Sequence, residues 1–265
     1  MSDIGRWQAG IEACLRGRCS LLREAIVLEE AGSTQDVARE RLLPRGTVGA
    51  VLARRQTAGR GRLGRSWADT GEDGVAVTFV LPDRRAEELV VLAAVAACRA
   101  IERAAGSPGC RIGIKWPNDL ILSGRKLGGI LIERPASAAR RVLVGIGINV
   151  AQTAFPSGLD GRATSLALGG HPAERLSVAV ELLASIDQLM GEVDAGAALR
   201  DYLDRDALRG ALATFATAEG EVAGEVTGRV LEAHPLEGIA VACADGERRL
   251  PTATTSVVAW TPPAI

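Results

Sequence analysis

The sequence predicts an α/β (α+β) main domain followed by a small C-terminal β-barrel, and three observations carry that prediction. Short apolar runs rich in β-branched residues alternate with segments whose apolar residues recur at helical spacing. From about Glu219 the texture changes to short β-rich pieces separated by Pro, Gly and Asp-Gly turns. No internal repeat or low-complexity tract interrupts the pattern. At 265 residues the chain has room for one sizeable core and a small appended domain. With 47% apolar and 24% charged residues it reads as a packed globular protein, which sets aside disordered and fibrous classes.

The pattern becomes clear at Ser33. Ser33 or Thr34 caps a predicted helix through Asp36, Val37, Ala38 and Leu42, which Pro44 and Gly46 end. Thr47–Ala53 reads as a buried strand and runs into a loop rich in Gly and Arg. Val75–Leu81 reads as a strand stopped by Pro82, and Leu89, Leu92, Ala93, Ala96 and Ala100 mark one helical face. Arg111–Trp116 and Leu120–Leu122 read as strands, and Ser123-Gly124 is turn chemistry returning the chain through Leu127–Glu133 as a hairpin. Val142–Val150 is a further strand, and Leu176, Ala179, Val180, Leu183 and Met190 repeat at helical spacing. Val222–Leu231, Gly238–Ala242 and Val257–Trp260 make up the predicted barrel of about 45 residues. The expected partition is an N-terminal extension over 1–30, a main domain over 31–217 and the barrel over 218–265.

Several function classes are disfavoured. A formal net charge of −1 gives no global basic field for nucleic acid. No apolar run approaches the roughly 20 residues that cross a bilayer, and Met1–Trp7 lacks a secretory signal, so a cytoplasmic protein is expected. Cys14, Cys19, Cys98, Cys110 and Cys243 are scattered, without a C-x-x-C pair, and read as reduced thiols. His171 and His234 each precede a proline and read as surface loop residues rather than metal ligands or triad members.

Four segments carry candidate chemistry. Gln56–Trp67 places Arg60, Arg62 and Arg65 among Gly59, Gly61 and Gly64 directly after a strand. Glycines let backbone N–H groups converge on an anion, and guanidinium forks pair with phosphate or carboxylate; a solvated basic loop is the alternative. Lys115-Trp116-Pro117-Asn118-Asp119 puts a lysine at a strand end, where it either stabilises charge on a transferring group or simply pairs with Asp119. Gly128 and Gly129, and Gly145 and Gly147, lie inside apolar strands, where glycine costs stability unless a ligand, a crossing element or a bulge needs the space. None of these matches a Walker loop or a Rossmann fingerprint, so the residues alone reach a phosphate-handling α/β enzyme.

Taken in order, Gly59–Trp67, Lys115–Asp119, Lys126–Leu131 and Gly147-Ile148-Asn149, with Gly32–Gln35 upstream and Ala163–Leu166 downstream, resemble the biotin protein ligase family over roughly Leu28–Met190. The resemblance implies a mixed central sheet with flanking helices, the class II synthetase-like biotin/lipoate ligase catalytic fold, and an SH3-like barrel. It implies biotin and ATP as substrates with Mg²⁺, biotinyl-5′-adenylate as intermediate, and transfer to a lysine of a biotin carboxyl carrier protein. Ser33, Thr34 and Gln35 would hydrogen-bond the ureido end of biotin, and Gln56 would line the same pocket. Arg60, Gly61 and Arg62 would hold the adenylate linkage and Arg65 its phosphate. Lys115 would reach the α-phosphate and the biotin carboxyl, and Trp67 would cover adenine. Asn118, Lys126, Gly128, Gly129 and Asn149 would shape the floor and the nucleotide side. Ala58–Trp67 is expected to be mobile without ligand and to order with it.

Gln35 stands where the family more often has Asn, and Pro251–Val258 lacks the family's Gly-Asp/Glu pair, which leaves the barrel's role open. No DNA binding is expected, since only about 30 residues precede the match and they are not basic. The carrier protein, the metal ligands and the oligomeric state, including a homodimer through a sheet edge, are left open. A lipoate or octanoate ligase of the same fold and a non-catalytic binding protein are the competing readings.

Overall fold

A computed structural model of the chain describes residues 2–69, 71–136, 140–191, 195–217, 224–252 and 254–262. Helix α1 (Asp3–Arg18) buries Trp7, Ile11 and Cys14, whose spacing of four and three residues forms one apolar stripe. Backbone N–H groups of Ser20, Leu21 and Leu22 then donate to the Asp187 carboxylate at 2.7, 2.8 and 2.6 Å. That anchor leads into β1 (Glu24–Ala31), which pairs parallel with β2 (Gly49–Gln56). Residues 1–30, read from the sequence as an extension, thus contribute a core helix and an edge strand. Their helical stripe is short and polar-flanked, and β1 exposes its free edge, so neither carries a strong periodic signature.

Between them, α2 (Thr34–Arg41) has Ser33 at its N-cap position, although no side chain makes a capping bond. A 3₁₀ turn over Leu43–Arg45 and Gly46, with φ of 63°, end the segment as Pro44 and Gly46 predict. The glycine- and arginine-rich segment is a small hairpin rather than an open loop, β3 (Gly59–Arg60) against β4 (Ser66–Trp67). It is followed by β5 (Gly74–Pro82) and α3 (Ala86–Ala105), on which Leu89, Leu92, Ala93, Ala96 and Ala100 are all buried. β6 (Gly113–Lys115), β7 (Asp119–Leu122) and β8 (Arg125–Glu133) are joined antiparallel, with Ser123 and Gly124 at φ 50° and 75° in the predicted turn. β9 (Arg141–Asn149), α4 (Arg175–Gly191) and α5 (Ala195–Asp204) complete the main layer.

The main sheet runs β1-β2-β5-β9-β8-β7-β6, with only the β1–β2 pair parallel, so it is the expected mixed sheet. Helices α1, α3, α4 and α5 bury the large core on one face. The other face is covered in part by α2, through Ala38, Leu42, Val51, Val80 and Leu143. The remainder of that second face is where the candidate residues collect.

The C-terminal unit is a five-stranded antiparallel sheet in the order β13-β12-β11-β10-β14. Its strands are β10 (Leu212–Thr217), β11 (Gly224–His234), β12 (Gly238–Cys243), β13 (Gly246–Leu250) and β14 (Thr255–Thr261). Among the described residues β13 and β14 are its two edges, and the expected barrel is seen as this antiparallel sheet. The proposed boundary at 218 and the first two residues of the predicted strand Val222–Leu231 lie outside the described residues. The sheet's core includes Phe215, Val230, Ile239 and Leu250, and also Trp116, which comes from the main domain and is 2% exposed. His234 is buried, not on the surface, because its Nδ1 accepts hydrogen bonds from Leu236 N (3.2 Å) and Glu237 N (3.1 Å) and closes the β11–β12 turn. His171 Nδ1 lies 2.6 Å from Ser107 Oγ. All five cysteines are free. No described helix is long and apolar enough to cross a membrane.

Candidate active site

Strand register builds the floor of the site. Ala53, Ala76, Gly147, Gly129, Asp119 and Lys115 are successive cross-strand partners from β2 to β6. Cross-strand partners share a face, so four small residues in a row open a trough that ends at Asp119 and Lys115. The next row, Val51, Thr78, Gly145 and Leu131, carries a second glycine. These glycines serve side chains that descend from outside the sheet. A Cβ on Gly147 would stand 2.9 Å from the Trp67 indole, and one on Gly145 would stand 2.6 Å from Gln35 Nε2. Gly128 serves the backbone instead: its Cβ would lie 2.6 Å from the Gly147 carbonyl oxygen, beside a β-bulge between β7 and β8.

Alongside the trough, on the next row, lies a buried polar cluster. Gln56 Oε1 accepts from Thr34 N (2.9 Å) and Thr34 Oγ1 (3.1 Å), and the Thr34 and Thr78 hydroxyls are 2.8 Å apart. Gln35 donates through Nε2 to the Leu131 carbonyl at 2.9 Å, while its Oε1 is buried with no hydrogen-bond partner. An unpaired buried acceptor is costly, and a ligand N–H would satisfy it. Ser33 is buried beside this cluster.

Of the basic residues, Arg60 stands beside this cluster, whereas Arg62, Lys115 and Lys126 gather at Asn118 and Asp119. Arg60 is clamped bidentately by Asp36 at 2.6 and 2.8 Å. The Arg60 hydrogen bonds, ahead of those from Arg39, hold the Asp36 carboxyl below its ordinary range and Arg60 above its own. Arg62 reaches Asn118 Oδ1 at 3.3 Å, and burial pushes its guanidinium down from its usual value. Gly61 N donates to the Arg65 carbonyl at 2.6 Å, closing the hairpin, and the Arg65 side chain is exposed. Asn118 Nδ2 donates to the Ile130 carbonyl at 2.7 Å, tying the turn to β8.

Asp119 sits between two ammonium groups, 2.6 Å from Lys126 Nζ and 3.3 Å from Lys115 Nζ. These are the only two lysines in the chain. Each also lies 5.8 Å from the centroid of a tryptophan ring, Lys126 at Trp67 and Lys115 at Trp260. The pairing of Lys115 with Asp119 is the plain alternative that the sequence offered, here inside a partly buried cluster. Asn149, two residues beyond Gly147 on β9, is held by the neighbouring loop: its Nδ2 donates to the Thr164 carbonyl at 3.0 Å, and its Oδ1 accepts from Gln152 at 3.4 Å. It joins the 162–166 segment, which also brackets Lys126: Lys126 N donates to the Arg162 carbonyl at 2.9 Å and Thr164 N donates to the Lys126 carbonyl at 2.8 Å.

Sequence reasoning missed Asp36, Thr78 and Trp260 as members of this site. Asp36 directly follows Gln35 and could have been noticed; Thr78 and Trp260 offer no local signal.

Residues 31–149, which carry the polar cluster, the hairpin, both lysines and the glycine floor, match the model of the Biotin/lipoate A/B protein ligase family. Over that span the chain belongs to this family. Among relatives of the biotin/lipoate ligase group, a biotin--[acetyl-CoA-carboxylase] ligase of Mycobacterium tuberculosis is 36% identical over 186 residues, covering 65% of this chain and 66% of its own. A bifunctional ligase/repressor of Bacillus subtilis is 40% identical over 168 residues, covering 59% of this chain and 50% of its own. The chain therefore spans about half the length of the Bacillus relatives it matches. The biotin protein ligase of Aquifex aeolicus in complex with biotin and ATP superposes with a TM-score of 0.74 at 27% identity, over 89% of this chain and 99% of that one.

Proposed function

We propose that the chain is an ATP-dependent ligase that joins biotin to AMP and then to a lysine of a biotin carboxyl carrier protein. One observation carries this reading. A buried cluster with an unpaired amide acceptor and a convergence of guanidinium and ammonium groups lie on the same face of one sheet, joined by a floor of small residues.

The chemistry asks for both ends. A ureido ring is a neutral donor and acceptor, suited to Thr34, Gln35 and Gln56, with Ser33 beside them. The biotin carboxylate attacks the α-phosphorus of ATP and expels pyrophosphate. Lys115, Arg60 and Arg62 would stabilise the charge that builds on the phosphorus oxygens, acting by position and electrostatics. The acceptor lysine then attacks the acyl carbonyl, and AMP leaves with the electron pair. Arg60 and Lys115 are each held by a carboxylate, Asp36 and Asp119, so substrate binding exchanges those partners for phosphate or carboxylate oxygens. Folding the Gly59–Trp67 hairpin down over the linkage would exclude water from a hydrolysable anhydride. Arg65 and Trp67 would then face phosphate and base, and Asn118, Lys126, Gly128 and Gly129 would line the nucleotide side. Asn149 would act through the 162–166 segment.

Among the described residues, no group of three or more His, Cys, Asp and Glu side chains could hold a metal ion. Mg²⁺ in this proposal accompanies ATP on the phosphate oxygens. Cytoplasmic placement follows from the substrates, and the free edge of β1 is the surface through which a homodimer would extend the sheet.

Biotin-dependent exchange of pyrophosphate into ATP tests the reading. Exchange with biotin but not lipoate or octanoate, abolished in Lys115→Ala, is expected. Exchange with lipoate would move the chain to the lipoate branch of the family, and no exchange with any acid would sink the adenylation reading.

A further inference from the structure

We infer that Trp260, on the last strand of the C-terminal sheet, is a positioning residue for Lys115, so that the second sheet completes the reaction centre; the inference rests on the adenylation reading above. The Lys115 side chain is 17% exposed, and its ammonium lies 3.3 Å from the Asp119 carboxylate and 5.8 Å from the centroid of the Trp260 ring. An aromatic face attracts a cation through its quadrupole without consuming an N–H donor. The three donors of the ammonium therefore stay available for Asp119 and for incoming carboxylate or phosphate oxygens. A carboxylate alone would compete with the substrate, whereas a π face holds the charge in place while its hydrogen bonds change hands.

The C-terminal sheet and the connection leading into it also fix both backbone neighbours of Lys115. Ile114 N donates to the Arg205 carbonyl at 2.7 Å and Ala207 N donates to the Ile114 carbonyl at 2.9 Å, in the connection that leads from α5 to β10. Trp116 lies inside the core of the second sheet with Leu208 and Phe215. Trp260 pairs with Ala213 in β10 and packs on that same core. Ring and lysine are thus both tied to the core of the C-terminal sheet, Trp260 directly and Lys115 through its neighbour Trp116. The arrangement repeats on the other oxygen of Asp119, where Lys126 faces Trp67 at the same ring distance. The divergent segment Pro251–Val258 therefore does not remove the sheet from the chemistry; Trp260, near the end of β14, brings it there.

The test uses the full chain carrying Trp260→Phe, Trp260→Leu or Trp260→Ala, each checked by thermal melting, in biotin-dependent pyrophosphate–ATP exchange. Phe should keep kcat within about twofold of the parent, while Leu and Ala should lower it by about tenfold with KM for ATP and biotin changed by less than about threefold. Leu behaving like Phe would reduce Trp260 to a packing residue and overturn the inference. A second readout needs no activity. With lysine labelled with ¹³C at the ε position the protein gives two signals, assigned with Lys126→Arg. The Lys115 signal should carry a ring-current shift that Trp260→Leu removes, and an unchanged signal overturns the contact. A parent chain that exchanges with no acid defeats the adenylation reading, and the labelled-lysine signal still decides whether Trp260 holds Lys115.

Discussion

Gly147 shows how a single residue sets the trough. A methyl group there would stand 2.9 Å from the Trp67 indole, which rests on the sheet and cannot bend out of the way as a flexible chain could. Gly147→Ala should therefore lift Trp67 at a cost of about 1–3 kcal/mol, read as a lower denaturation midpoint and a red-shifted tryptophan emission. Asp36 makes a second prediction. Its pKa is depressed chiefly by the Arg60 hydrogen bonds, so its contribution is present above the unfolded-chain pKa and is lost as pH falls through the lowered folded value. Protection of the Gly61 amide from exchange should then hold as the pH drops to 3.8 and weaken only below it. In Asp36→Asn that acid-side loss should vanish and protection should be lower throughout. At this scale the sequence marked the odd residues, glycines inside apolar strands and arginines among glycines, because each breaks a local rule. It did not name their partners, Trp67, Gln35 and Asp36, because those meet across elements.

The elements divide by how local their signals are. The Ser123-Gly124 hairpin, the long face of α3 and the Pro82 stop were legible, since turn chemistry and helical spacing act within a few residues. α1 and β1 were not. Polar residues flank the α1 stripe, and the core that β1 joins is built by strands far along the chain. Yet Trp7 is 4% exposed and packs in the main core, with the Arg175 guanidinium 5.2 Å from its ring. Trp7→Ala should cost about 3–5 kcal/mol of folding free energy in urea titration; a loss below about 1 kcal/mol would mean that residues 1–30 behave as the extension the sequence suggested.

Across the whole molecule, Trp116 locks the two sheets together. It is 2% exposed and sits in the core of the C-terminal sheet, although it is next to Lys115 in the chain. Trp116→Ala should lower stability by about 3–5 kcal/mol and reduce adenylation at temperatures where the protein stays folded, because the β6 end that carries Lys115 loses its anchor. Activity unchanged in a folded variant would show that the β6–β7 turn alone holds the lysine. The sequence by itself determined the alternation of strands and helices, the change of texture near the C-terminus and the four segments that carry chemistry, since propensity, periodicity and turn residues are properties of near neighbours. Only the tertiary structure decided that one row of small residues runs from Ala53 to the edge of Asp119, that Lys126 joins Lys115 on that carboxylate, and that Trp260 reaches back to Lys115. The row and the Trp260 contact are set by strand order and register, and the chain segments they join are separated by tens to more than a hundred residues, over which no local pattern extends.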